Sequence, residues 1–192
     1  MVEKKSEPAS RGRGRPRVET APLDEKAIVA AGLAFLDQAG EAAVTLRGVA
    51  RRLGVTPMAV SHHTGGRDGL LARVIAAAHA GLEVPAGNQR APAAEVATAI
   101  LAYAKAARHH PAAVAALFAR PDLMPEELKR FSAWVREQIA LRDPSMADRG
   151  LALLIDYVHG HLLAASAGPE DPGMDQTFCR NVEQLARWVL AE

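Results

Sequence analysis

Alanine governs what this chain can fold into. It fills 40 of 192 positions, while aromatic residues make up 4%. Ala, Leu, Arg and Glu are all good helix formers and β-branched residues are sparse, so the composition predicts an all-α protein. The length suits one or two compact domains with a buried core. The single cysteine, Cys179, excludes an internal disulfide framework and fits a reducing compartment, hence a cytoplasmic location. The longest apolar stretches, such as residues 112–119, are too short to span a bilayer. The charged N-terminus has no apolar segment behind it, so no secretory signal is expected.

Glycine, proline and capping residues divide the chain into helices. Residues 1–22 carry Lys4, Lys5, Arg11, Arg13, Arg15 and Arg17 among Gly, Ser and Pro, a composition that predicts a flexible basic arm. A first helix is predicted over 24–39, with Asp24 as N-cap, Gly40 as stop and Ile28, Ala31, Phe35, Leu36 and Ala39 on one face. Short helices follow over 46–53 (N-cap Thr45, stop Gly54) and from Pro57 to about Thr64 (N-cap Thr56), then a longer one over 67–82. Residues 83–92, with two prolines and a glycine, mark the expected domain boundary. Further helices are expected over 93–109, 111–119, 125–141, 145–167 and 174–190, with Gly168 to Gly173 separating the last two. The first domain would then occupy residues 23–82 and the second, all-helical, residues 93–192. Residues 1–79 hold 12 basic and 8 acidic side chains (net +4), and residues 80–192 hold 11 and 14 (net −3). That asymmetry directs any polyanion to the first domain.

The stretch from Leu46 to His63 carries the functional signal. Ala50, Gly54 four residues later and Val60 six beyond that form the helix-turn-helix pattern: a small residue at the crossing, a glycine for the turn, an apolar lock. An ordinary αα-corner shares these features, so the pattern alone leaves both readings open.

The wider sequence is more specific. Gly40, Thr45-Leu46-Arg47, Ala50-Arg51-Arg52-Leu53-Gly54-Val55, the short helix up to His63 and Arg67-Asp68-Gly69-Leu70-Leu71 together resemble the TetR family of transcriptional regulators across residues 24–79. The second domain resembles the family weakly, with Asp156 to Leu163 similar to its eighth helix. The resemblance implies an N-terminal three-helix helix-turn-helix DNA-binding domain followed by a C-terminal all-helical ligand-binding and dimerisation domain. Three positions depart from the family's pattern: Ser61 replaces a phosphate-touching tyrosine, Thr64 replaces a bulky plug, and Gly66 replaces a capping Ser or Asn.

Roles follow if the second short helix enters the major groove of double-stranded DNA. Thr56, Met58, Ser61 and His62 then face bases, with Met58 suited to a thymine methyl and His62 to an acceptor or a phosphate, while Ala59 and Val60 face the core. By resemblance, Arg47 matches a base-reaching position, and Thr45, His63 and Arg67 match phosphate contacts supplemented by the amides opening the fourth helix. Arg51 and Arg52 read as a solvated face. In the arm, Arg13, Arg15 and Arg17 alternate with Gly14 and Pro16, an AT-hook-like run suited to a narrow A·T minor groove, against the plainer reading of a solvating tail.

In the second domain, Tyr103, Trp134 and His159 are the candidate contacts for a small, largely apolar effector, although aromatics also simply fill cores. Leu151, Leu154, Ile155, Val158 and Leu162, and likewise Val182, Leu185, Trp188 and Val189, form the stripes expected at a homodimer interface, which the resemblance implies is a four-helix bundle. No cofactor or metal is expected: Asp156 and His159 share a face but His161 points away. His109-His110 reads as a helix C-terminus. No nucleophile–base motif or phosphate loop suggests an enzyme. The expectation is a repressor released from a palindromic operator by its effector. An A·T-rich DNA architectural protein without an effector and a purely structural helical dimer are the alternatives.

Overall fold

A computed structural model describes residues 23–85, 92–166 and 176–191. The basic arm, with Arg13, Arg15 and Arg17, lies outside the described residues, as do residues 86–91 of the expected boundary and the Gly168–Gly173 segment. The described residues form α1 (Glu25–Ala39), α2 (Leu46–Leu53), α3 (Pro57–Thr64), α4 (Arg67–Ala78), α5 (Ala93–Ala107), α6 (Pro111–Ala119), α7 (Glu126–Ala140), α8 (Ala147–Ser166) and α9 (Gln176–Val189), with short 3-10 turns before α2, α7 and α8. The described residues are all-α, as the composition predicts.

Side-chain caps set the early helix starts. Asp24 accepts from the Lys26 amide at 3.0 Å, Thr45 from Gly48 at 3.0 Å and Thr56 from Ala59 at 3.1 Å, each satisfying one orphan donor of a first turn. Gly54 ends α2 at φ 68°, and its amide bonds back to the Ala50 carbonyl. Only the left-handed conformation turns the chain this sharply into α3, and glycine adopts it without a Cβ clash.

Ile28, Leu36, Val49, Val60, Leu70, Leu71, Val74 and Ile75 close the core of α1–α4. Each such side chain contributes about 1.5–3 kcal/mol on burial. In the second half α5 packs on α9 and α7 on α8, around Ile100, Tyr103, Phe131, Val135, Ile139, Leu154, Phe178 and Val182. Helix α6 bridges the two, packing on α1 and α4 as well as on α8.

Several boundaries differ from the sequence expectation. Helix α4 stops at Ala78, not at residue 82, because His79 leaves helical geometry and Gly81 turns at φ 85°; Leu82 still packs against the core. Helix α5 ends at Ala107, so His109-His110 lies beyond it and His110 instead caps α6. Helix α8 starts at Ala147, since Asp143 caps a 3-10 turn over Pro144–Met146 first. Ala39 is exposed, because α1 presents its last turn to solvent.

The expected dimer stripes also need correction. Leu154, Val158, Leu162, Val182 and Val189 are buried within the chain's own core. Their helical period marks the intramolecular face of α8 and α9. Of the other expected stripe residues, Leu151, Ile155 and Leu185 are partly buried and Trp188 stands outside at 63% exposure, with Leu153, not among those expected, at 38%.

Candidate functional site

The α2–α3 pair presents a polar, basic face over an apolar floor. Val60 and Thr64 of α3 point inward, whereas Thr56, Met58, His62 and His63 are exposed and Ser61 is half-buried. Met58, at 77% exposure, is the most exposed large apolar side chain among the described residues. Ala59 is half-buried rather than fully in the core. Arg47, Arg51 and Arg52 are exposed along α2, and the Arg52 guanidinium lies 5.6 Å from the Phe35 ring centre, a cation–π contact. Thr45 and Thr56 each use their oxygen as a cap acceptor, which leaves each hydroxyl proton free to be donated outward.

Arg67 is held by its neighbours. Its Nη2 donates to the Glu41 carbonyl at 3.1 Å and lies 3.3 Å from Glu41 Oε1. A phosphate at this position has to share the guanidinium with that carboxylate.

Thr64 explains the unusual end of α3. It is 2% exposed, and its hydroxyl lies 3.0 Å from the carbonyls of both Val60 and Gly66. The smaller residue fills the plug position through local hydrogen bonding. Gly65 and Gly66 sit at φ 75° and 103°, so the glycine pair allows the tight passage into α4. A Cβ at Gly69 would stand 1.8 Å from the Thr64 carbonyl oxygen, and Arg73 Nη1 donates to that same oxygen at 3.0 Å. The C-terminus of α3 is thus clamped onto α4.

Helix α6 is tied at both ends to α1 and α4. His110 Nδ1 lies 3.0 Å from Asp37 of α1. Arg120 Nη1 donates to Asp68 of α4 at 3.1 Å, and its Nε and Nη2 grip Asp122 at 3.0 and 2.9 Å. Hydrogen bonds from Arg120 and its charge hold the Asp68 carboxyl below its ordinary range.

Of the three candidate effector contacts, two meet. The Tyr103 hydroxyl lies 2.6 Å from His159 Nε2. Burial raises the Tyr103 phenol above its ordinary pKa, and Phe131 stacks on its ring at 5.6 Å. Trp134, 7% exposed, is a core residue of α7 one turn from Phe131. Sequence reasoning missed His79, which is 2% exposed and parallel to Tyr103 at 6.2 Å. The signal was its i+4 placement after Ile75, on the buried face of α4. Among the described residues no group of three His, Cys, Asp or Glu is placed to hold a metal, and no helix is long and apolar enough to cross a membrane.

No family model matches the chain. Over 56 residues it is 38% identical to the HTH-type transcriptional regulator BetI 2 of Chromohalobacter salexigens, a stretch covering 29% of this chain and 27% of that relative. Solved structures match far more of it. BioQ of Mycobacterium smegmatis superposes with a TM-score of 0.69 at 22% identity, over 88% of this chain and 98% of BioQ. BioQ bound to its double-stranded DNA operator matches with 0.67 at 20% identity, over 88% and 99%. The TetR-family protein ActR of Streptomyces coelicolor, in complex with (S)-DNPA, matches with 0.60 at 23% identity, over 90% and 99%. Across α1–α9 this chain shares the fold of these solved structures, the TetR-family protein ActR among them.

Proposed function

We propose that the chain is a DNA-binding transcriptional regulator that acts as a homodimer in the cytoplasm, and that it is a repressor rather than an enzyme. The carrying observation is α3: a short helix locked by Val60 and Thr64, with Thr56, Met58 and His62 on its open face. The operator complex of BioQ and the ligand complex of ActR, both of this fold, support the reading. One recognition helix reads too few bases for specificity, so two related by a dyad are required on a pseudo-palindromic operator. A small, largely apolar effector entering among helices α5 to α8 releases the protein by favouring a spacing of the recognition helices that misfits the operator. In this reading Thr45, His63 and Arg67 meet phosphates, Arg47 meets a base, and Arg13, Arg15 and Arg17 follow the adjacent minor groove.

DNA titrations at several salt concentrations separate these roles. Arg47→Ala is expected to cost about 1–3 kcal/mol on operator and little on random DNA. Deleting residues 1–20 is expected to weaken both DNAs and to flatten the log–log salt slope by about 0.9 per lost phosphate contact. Equal weakening of both DNAs by Arg47→Ala makes Arg47 a phosphate contact. An unchanged slope after truncation makes the arm a solvated tail.

A further inference from the structure

Two buried imidazole nitrogens around Tyr103 have no hydrogen-bond partner among the described residues: Nε2 of His79 and Nδ1 of His159. Their protonation states follow from their neighbours. His79 Nδ1 lies 2.9 Å from the Ile75 carbonyl. A carbonyl only accepts, so the proton sits on Nδ1 and Nε2 is a bare acceptor. Tyr103 and His159 share one hydrogen bond. If the phenol donates it, one buried group is left over, the His159 Nδ1–H. If the imidazole donates it, both the phenol proton and His159 Nδ1 are stranded. The first arrangement leaves fewer unmade bonds and is the stable one. The cluster therefore holds one unused acceptor and one unused donor, each costly to bury empty.

The surroundings limit what can satisfy them. Phe118 meets His159 edge-on at 5.1 Å and is itself 58% exposed, so its displacement opens His159 from outside. Phe131 and Tyr103 supply apolar ring surface. Burial opposes a charge on either histidine. The opposing Asp156 lies exposed on α8. An ion entering here would lose its hydration without a counter-charge.

We infer that His79 Nε2 and His159 Nδ1 are the polar anchors of the effector site, and that they select an uncharged, largely apolar molecule carrying a hydroxyl and a separate carbonyl-type oxygen. This rests on the effector reading above and deepens it. The hydroxyl donates to His79 and the carbonyl oxygen accepts from His159. A site that hydrogen-bonds a hydroxyl discriminates strongly against the analogue lacking it, because its own buried groups are then left unpaired. His79 ends α4, whose first turn is clamped to α3 through Thr64, so occupancy is felt at the helix carrying the reading residues.

The test uses the full chain labelled with nitrogen-15 at histidine and three probes: 4-hydroxyacetophenone, its methyl ether and 4-hydroxybenzoate. The expected result is that the first probe moves the His79 Nε2 and His159 Nδ1 resonances, with the ether and the carboxylate at least about tenfold weaker. In His79→Phe the hydroxyl probe falls to the level of the ether, while the ether's own affinity is unchanged. A merely structural role for His79 would alter both. Equal affinity for hydroxyl probe and ether, histidine resonances unmoved at saturation, or no binding of the hydroxyl probe overturns the inference, and the resonance measurement needs no variant to fold. Sequence-specific DNA binding by the same sample is read separately. Its failure sinks the regulator reading and leaves the anchor assignment standing.

Discussion

At the scale of single residues, the local conflicts are the informative ones. Replacing a helical glycine by alanine ordinarily gains about 1 kcal/mol of helix propensity. At Gly69 the added Cβ would meet the Thr64 carbonyl oxygen at 1.8 Å, against backbone that cannot swing aside. Overpacking of this kind costs about 1–3 kcal/mol and outweighs propensity, so Gly69→Ala is expected to lower the urea midpoint; a raised midpoint would mean that α3 and α4 are not clamped. His79 and His159 give a second expectation. Burial first of all holds both below the ordinary histidine value of 6.5. The unfolded chain takes up protons as pH falls through that value while the folded chain resists, so stability is complete above it and declines below. Urea midpoints between pH 8 and 5 should fall, and His79→Phe should make that fall shallower. A midpoint that stays level across this range contradicts neutral buried imidazoles.

At the scale of elements, most helices were legible because alanine-rich segments are bounded by strong punctuation. Asp24, Thr45, Thr56 and Gly54 do what their residue types predict. The misreadings share a cause: periodicity reports that a face is buried, but not against what. Leu154, Val158 and Leu162 carry a clear stripe, and their partners lie within the same chain. The helices α8 and α9 run antiparallel, with Asn181 donating to the Tyr157 hydroxyl at 2.9 Å and a Cβ at Gly150 reaching within 2.5 Å of Val189. Gly150 thereby places Leu153 and Trp188 at the same end of the pair, on its outer side. Contacts distant in sequence, such as Arg67 with Glu41, His110 with Asp37 and Arg120 with Asp68, carry no periodic signal and were invisible. The exposed Trp188 is the expected centre of the dimer interface. Trp188→Asp is expected to halve the mass in sedimentation, since it buries an unpaired charge there. An unchanged dimer would move the interface elsewhere.

At the scale of the whole molecule, α6 joins the α1–α4 unit to the helices of the second half, packing on α1 and α4 as well as on α8. The Arg120–Asp68 and His110–Asp37 pairs lie near the surface, so their contribution to stability is small. Their geometry instead ties α6 to α1 and α4, the connection through which the proposed effector response would have to pass. In the proposed dimer, two α2–α3 units on a dyad would read half-sites about one helical turn apart. A nuclease footprint of the full-length protein, on DNA selected for binding from random sequence, tests that account most directly. The account predicts one short protected region containing an inverted repeat, with each half contacted by one α3. Diffuse protection of A·T-rich stretches without a repeat, or no protection at all, would contradict it.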